Sequence, residues 1–192
     1  MEDFKNSREW SKSVARNKIE IPKKTRYRSK KYPKIVLEVK HGKTYIPNIL
    51  ETIKEFNPEL LIELGTFQGG LTLIIHEKFP TLEISSFDHI DRLSSPRKKV
   101  LFNKFVTFHI QDLISSPNKF LIDFLVSNKS TKKFLYCDNG NKTYEINTYS
   151  KYLSVGDVMG CHDWFVEVNP KDVRDSLEKF VPYKLDLWKD SH

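Results

Sequence analysis

The stretch Glu59 to Gly70, Glu-Leu-Leu-Ile-Glu-Leu-Gly-Thr-Phe-Gln-Gly-Gly, is the feature that most limits what this chain can fold into. A mostly apolar run, Leu60 to Leu64, breaks into a loop holding Gly65, Gly69 and Gly70. An apolar pattern then resumes at Leu71 and ends at Pro80. This predicts a strand, a glycine turn and a helix. Glycines in such a turn permit positive φ and let backbone approach a ligand closely, while the helix start offers unpaired N–H groups and a positive dipole end. The turn therefore suits a nucleotide-type cofactor.

Short apolar runs and helical patterns alternate from Pro58 onward. Strands are expected at Leu60–Leu64, Leu82–Phe87, Val106–Ile110, Phe134–Cys137 and Val158–Cys161, with a closing strand at Tyr183–Trp188. Between them, helical spacing places one helix near Gly69–Phe79 and another containing Val100, Leu101 and Phe105. Further helices are expected after Pro117, through Ile146, Tyr149 and Leu153, and through Val173, Leu177 and Phe180. Strands joined by crossover helices predict a doubly wound, mainly parallel α/β domain, Rossmann-like in layout, which binds ligands at the carboxyl ends of its strands. We assign that domain to residues 46–192 and a basic N-terminal extension to residues 1–45. The extension includes a short strand at Ile35–Val39.

Charge is unevenly placed. Met1 to Lys31 carries eleven Lys or Arg against four acids, so the whole net charge of +7 lies there and the rest of the chain balances. Such an arm suits nucleic-acid phosphates or an anionic surface, and equally a solvated extension. No apolar run approaches the roughly 20 residues of a membrane span, and the first ten residues are too polar for a signal peptide. The two cysteines, Cys137 and Cys161, make no disulfide framework. The expectation is a cytoplasmic protein.

A polar residue ends nearly every expected strand: Glu63, Asp88, Asp112, Asp138 and the pair His162-Asp163. In a parallel sheet these converge on one edge. Each taken singly would equally serve as a helix cap or loop residue. Asp88 follows Glu63 by 25 positions, where an acid at the second strand tip would accept from ribose hydroxyls. Gly65 and Gly69 do not make the G-x-G-x-x-G of a typical dinucleotide site, and no G-x-x-x-x-G-K-[ST] loop is present.

Glu63-Leu-Gly65-Thr66-Phe67-Gln-Gly69-Gly70, followed by Asp88 and Gln111-Asp112, resembles the cofactor-binding set of class I S-adenosylmethionine-dependent methyltransferases. Tyr136-Cys-Asp138-Asn-Gly-Asn-Lys142-Thr-Tyr-Glu145 and Gly156-Asp-Val-Met-Gly-Cys-His162-Asp163-Trp164 are similar to the cephalosporin hydroxylase-like and macrolide-sugar or rhamnosyl O-methyltransferase branch. The resemblance covers about Pro58 to Trp164. It implies that Glu63, Gly65 and Gly69 hold the methionine part of the cofactor, with Thr66 and Phe67 of the same loop also binding it, Asp88 on the ribose and Asp112 on the adenine. It further implies a divalent cation, magnesium or another, at Asp138, His162 and Asp163. Many relatives carry Asp-Gly-x-His after the fourth strand. This chain has Asp138-Asn139-Gly140-Asn141-Lys142, one residue longer and without the histidine.

For a hydroxyl acceptor, a metal at Asp138 and Asp163 would lower the hydroxyl pKa, and Lys142 or His162 would take the proton. A lysine does so only with its pKa depressed toward neutrality. Cys137 and Cys161 stand at matching positions of two strands and are expected as buried small hydrophobes in preference to a zinc site. Tyr144, Tyr149, Trp164 and Trp188 would either wall an acceptor pocket or belong to the core. The function expected is O-methylation of a small-molecule or sugar hydroxyl. The alternatives are a nucleic-acid methyltransferase gripping through the arm, a catalytically silent binding module and, more distantly, a dehydrogenase.

Overall fold

The computed structural model describes residues 25–28, 36–39, 45–164 and 166–183. In chain order these form β1 (Thr25–Arg28), β2 (Val36–Val39), α1 (Tyr45–Phe56), β3 (Leu60–Leu64), α2 (Gly70–Lys78), β4 (Glu83–Asp88) and α3 (Ser95–Leu101). There follow β5 (Val106–Ile110), α4 (Lys119–Ser127), β6 (Lys133–Cys137), α5 (Lys142–Tyr149), β7 (Val158–Cys161) and α6 (Arg174–Leu177). Strands β3 to β7 make a parallel sheet in the order β5-β4-β3-β6-β7. β1 and β2 pair antiparallel, Thr25 opposite Val39 and Arg28 opposite Val36, so the expected extension contains a hairpin whose first strand the sequence pattern did not reveal.

The period of two along each strand explains the two-layer core. Leu60, Ile62 and Leu64 of β3, Phe87 of β4 and Leu135 and Cys137 of β6 face one side, where Leu121 and Leu125 of α4 and Ile146 and Tyr149 of α5 cover them. Leu61, Ile84, Val106, Phe134 and Tyr136 face the other, against Tyr45, Ile49, Ile53 and Phe56 of α1 and Leu71 and Ile75 of α2. Burying each such side chain contributes about 1.5–3 kcal/mol, and a slip of one residue would turn every one to the wrong face. The register is fixed accordingly: Leu60 stands opposite Glu83 on one side and Lys133 on the other, and Cys137 opposite Cys161. At the lower edge the fully buried Lys133 donates to the carbonyls of Asn128 and Thr131 and pairs with Asp157 at 2.9 Å.

The five strands expected between Leu60 and Cys161 are present to within a residue. Phe105 lies in the turn before β5 and not in a helix, because α3 ends at Leu101 and the chain turns through Asn103, whose side chain accepts from the Phe105 N–H. The last helix is a single turn, Arg174–Leu177. Tyr183 is in no strand, and the remainder of the expected closing strand lies outside the described residues, as does most of the basic arm. No described helix is long and apolar enough to cross a membrane.

Candidate functional site

In the order β5-β4-β3-β6-β7 the chain runs outward from β3 in one direction and, after β6, in the other. The gap above β3 and β6 is the switch point where such sheets open a crevice. Gly65 sits there at φ 108, and the backbone of the loop after β6 crosses directly over it. A Cβ at Gly65 would lie 2.6 Å from the Asp138 carbonyl carbon and 2.9 Å from the Asn139 nitrogen. Only glycine permits both that φ and that approach. The N–H groups of Gly65 and Thr66 donate to the Phe87 carbonyl at 2.8 and 3.1 Å, tying the turn to the tip of β4. Gly69, at φ 74, then opens α2 without a side-chain cap.

Glu63 is 1% exposed and lies in β3 beneath this turn. Its Oε2 accepts from Thr72 Oγ1 of α2 at 2.6 Å and from Ser86 Oγ of β4, and Thr66 Oγ1 stands 2.5 Å from Ser86 Oγ. Ser86 has one proton, and giving it to Glu63 leaves Thr66 to donate to Ser86. The chain Thr66, Ser86, Glu63, Thr72 thereby braces the turn from below. Burial pushes the Glu63 carboxyl up to about 7, against the two hydroxyl hydrogen bonds.

Asp88, at the tip of β4, is 2% exposed and accepts from the Phe67 N–H at 2.7 Å and the Ile90 N–H at 3.2 Å. His89 and Arg92 flank it at 3.1 and 3.5 Å. Phe67 holds a left-handed φ of 49, an uncommon conformation for a bulky residue, and the Arg92 guanidinium lies over its ring. Thr66, Phe67, Asp88, Arg92 and Ile110 line a crevice. Asp112 lies further out, exposed, its carboxylate accepting from the N–H groups of Ile114 and Ser115. The Ser115 hydrogen bonds hold its pKa below the usual carboxylate range.

A second cluster occupies the tips of β6 and β7. Ligand atoms of Asp138, His162 and Asp163 all lie within 4.8 Å of one another. His162 Nδ1 is 2.8 Å from Asp163 and 3.4 Å from Asp138, and the ring meets Tyr45 edge-on at 4.7 Å between centroids. Burial works against the charged imidazole, but the two carboxylates prevail and raise its pKa to about 9. Asp163, at φ 56, uses its carbonyl to accept from the N–H groups of Val166 and Glu167.

Lys142 corrects the expectation of a lysine base. Its side chain is 5% exposed, and its Nζ donates to Glu167 at 2.6 Å and to the Asn139 carbonyl at 3.2 Å, with Asp163 at 3.5 Å and Asp138 at 3.7 Å. Burial opposes its charge, yet the three carboxylates outweigh that and drive its pKa up, the reverse of what a proton acceptor needs. His162, charged at neutral pH, does not start as a base either.

Glu167, Glu145 and Tyr45 are site residues that the strand-tip reasoning passed over. Glu167 stands four residues beyond Asp163 in an irregular turn. That spacing was its sole signal. Glu145 is fully buried one turn along α5 from Lys142, its carboxyl oxygens without an aligned hydrogen bond, and burial raises its pKa well above the ordinary value. The Tyr45 hydroxyl meets that of Tyr136 at 2.6 Å. Tyr149 is core and not pocket wall, its hydroxyl donating to the Leu113 carbonyl at 2.9 Å and accepting from the Asn118 N–H. Trp164 packs partly buried against the same core, and Trp188 lies outside the described residues. Burial raises both thiols, Cys137 and Cys161, well above their ordinary values, as suits small hydrophobes facing each other across β6 and β7.

No family model and no curated protein sequence matches the chain. Among solved structures it is similar to one described as the CmcI-N160 apo-structure, with 14% identity and a TM-score of 0.56, covering 80% of this chain and 65% of that one. A cmcI-N160 SAH structure aligns at 13% identity and a TM-score of 0.48 over 71% of this chain and 66% of that one. Human N-acetylserotonin methyltransferase in complex with SAM aligns at 15% and 0.40 over 59% and 32%. The chain thus spans just under two thirds of the length of the CmcI chains it matches. Its five-stranded parallel sheet with flanking helices is a Rossmann-like fold, similar to that of the CmcI structure.

Proposed function

We propose that the chain is an S-adenosylmethionine-dependent methyltransferase that O-methylates a small-molecule or sugar hydroxyl. The observation that carries this reading is the crossing of the Asp138 backbone over Gly65, which puts a glycine turn and a carboxylate cluster on the two sides of one switch point. The residues present fit the cofactor. The Gly65–Gly69 turn stands at the switch point where its methionine part would lie, Asp88 offers a buried carboxylate for the ribose hydroxyls, and Asp112 lies beyond for the adenine. The likeness to the CmcI fold supports the same assignment.

When bound, S-adenosylmethionine supplies a sulfonium methyl whose C–S bond breaks as the acceptor's O–C bond forms. The protein's main contribution is alignment, which is worth effective concentrations of about 10⁵–10⁸ M in well-oriented systems. Asp138, whose backbone crosses the glycine turn, is the group to orient the acceptor hydroxyl and take its proton, while, against burial, His162 and Lys142 hold the Asp163 carboxyl below its ordinary value, the reverse of what a proton acceptor needs. Lys142 and His162, both cationic, hold those carboxylates in place and stabilise the oxyanion that develops.

The expected divalent ion at Asp138, His162 and Asp163 does not fit as well. Magnesium prefers oxygen ligands and near-octahedral geometry, whereas this trio includes an imidazole and shares both carboxylates with the Lys142 ammonium.

Incubation with methyl-labelled S-adenosylmethionine and separate pools of glycans, small-molecule alcohols and RNA tests the proposal. Label is expected in the hydroxyl-bearing small molecules or sugars. Label in RNA, lost on removal of Met1 to Lys31, would replace this reading with the nucleic-acid one. Cofactor binding with label in no pool would favour the silent module.

A further inference from the structure

We propose that the Lys142 ammonium is the resident cation of the Asp138 and Asp163 carboxylate pair, standing in for a divalent metal, so that this site works without one. The proposal deepens the methyltransferase reading, but its geometry and its test stand apart from cofactor binding.

Lys142 begins α5, four residues beyond Asp138, and its side chain turns inward under the tips of β6 and β7. Its ammonium has three protons. Glu167 accepts one at 2.6 Å and the Asn139 carbonyl another at 3.2 Å, and the carboxylates of Asp163 and Asp138 pair with the charge at 3.5 and 3.7 Å. At 5% exposure the charge is held out of water and has no second place to go. His162 closes the opposite side, its Nδ1 between the same two carboxylates.

A metal coordinated by Asp138, His162 and Asp163 would bind the two carboxylates that the ammonium already shares. It would also sit a few ångströms from a fixed positive charge, where repulsion is only weakly screened. Glu167 has no counterpart among the three metal-type donors. From outside the trio its half-exposed carboxylate makes the shortest contact with the ammonium. Lys142 is in this account a positioning residue. It fixes the two carboxylates toward an acceptor and balances their charge, the two tasks a metal would otherwise perform.

The test is titration of the full chain with Mn²⁺, followed by the electron paramagnetic resonance signal of the free ion. Wild type is expected to leave that signal unchanged at equimolar metal. Lys142→Gln is expected to bind one Mn²⁺ at least about tenfold more tightly than wild type, and Asp163→Asn in that background to abolish the gain. Lys142→Arg, which keeps the charge, is expected to behave as wild type. One equivalent of Mn²⁺ bound by wild type and lost in Asp163→Asn would overturn the proposal. So would a Lys142→Gln protein, folded by circular dichroism, that binds no more tightly than wild type. Should Lys142→Gln fail to fold, Glu167→Gln gives the same readout, because it loosens the ammonium: a rise in Mn²⁺ affinity supports the proposal and no rise overturns it.

Discussion

Replacing Glu63 with glutamine tests the brace beneath the glycine turn. Glu63 is 1% exposed, with Thr72 and Ser86 donating to one of its oxygens, and burial lifts its carboxyl from 4.5 to about 7. A group whose folded pKa is raised favours the folded state while protonated. As pH climbs from 4.5 the unfolded chain releases its proton first, and stability is lost until the folded carboxyl has also ionised, near 7. At 1.36 kcal/mol per unit the loss comes to about 3 kcal/mol, fully expressed above pH 7. Glutamine keeps an acceptor oxygen for the two hydroxyls but cannot ionise. Thermal unfolding of both proteins from pH 4.5 to 8 is the assay. The melting temperature of Glu63→Gln relative to wild type should climb by roughly 6–12 °C across that range, most of it below pH 7. Other titrating groups, His162 and Glu145 included, are common to both proteins and cancel in the difference. A difference independent of pH would mean that Glu63 ionises as an ordinary carboxyl and that its burial does not raise its pKa.

Gly65→Ala combines a φ of 108 with a Cβ driven into the Asp138 carbonyl, and should lower stability by at least about 2 kcal/mol in urea unfolding, while Gly140→Ala, where a Cβ meets nothing, should cost little. In NMR titrations the His162 ring should lose its proton near pH 9, held there by Asp138 and Asp163. Its contribution to stability is then complete below about 6.5 and lost as pH rises through 9. The His109 ring, stacked on Phe87 at 4.4 Å, should titrate below the ordinary histidine value because burial disfavours its charge.

The sheet is legible in the sequence because its central strands β3, β4 and β6 are buried on both faces and read as short, largely apolar runs between glycine and helix signals. The strand tips followed from that, and with them Glu63, Asp88, Asp138, His162 and Asp163. Chemical state was less legible. Lys142 suits a base in a motif that lacks the histidine of its relatives, yet Asp138, Glu167 and Asp163 together drive its pKa up, and two of these three arrive from turns more than 20 residues later in the chain. Glu63 was placed among ligand-facing residues, and the structure gives its carboxyl to Thr72 and Ser86, partners from α2 and β4. Tyr149 at helical spacing suited a pocket wall or a core equally, and the Leu113 carbonyl decided for the core. In each case the deciding partner is distant in sequence and close in space, which a one-dimensional pattern does not encode.

Isothermal calorimetry with S-adenosylhomocysteine, on wild type and on Asp88→Ala, decides whether the switch point holds the cofactor. One site per chain is expected in wild type. In Asp88→Ala the affinity should weaken roughly ten- to a hundredfold, the worth of hydrogen bonds from ribose hydroxyls to a buried carboxylate. A folded wild-type protein that takes up no S-adenosylhomocysteine would rule out the methyltransferase reading.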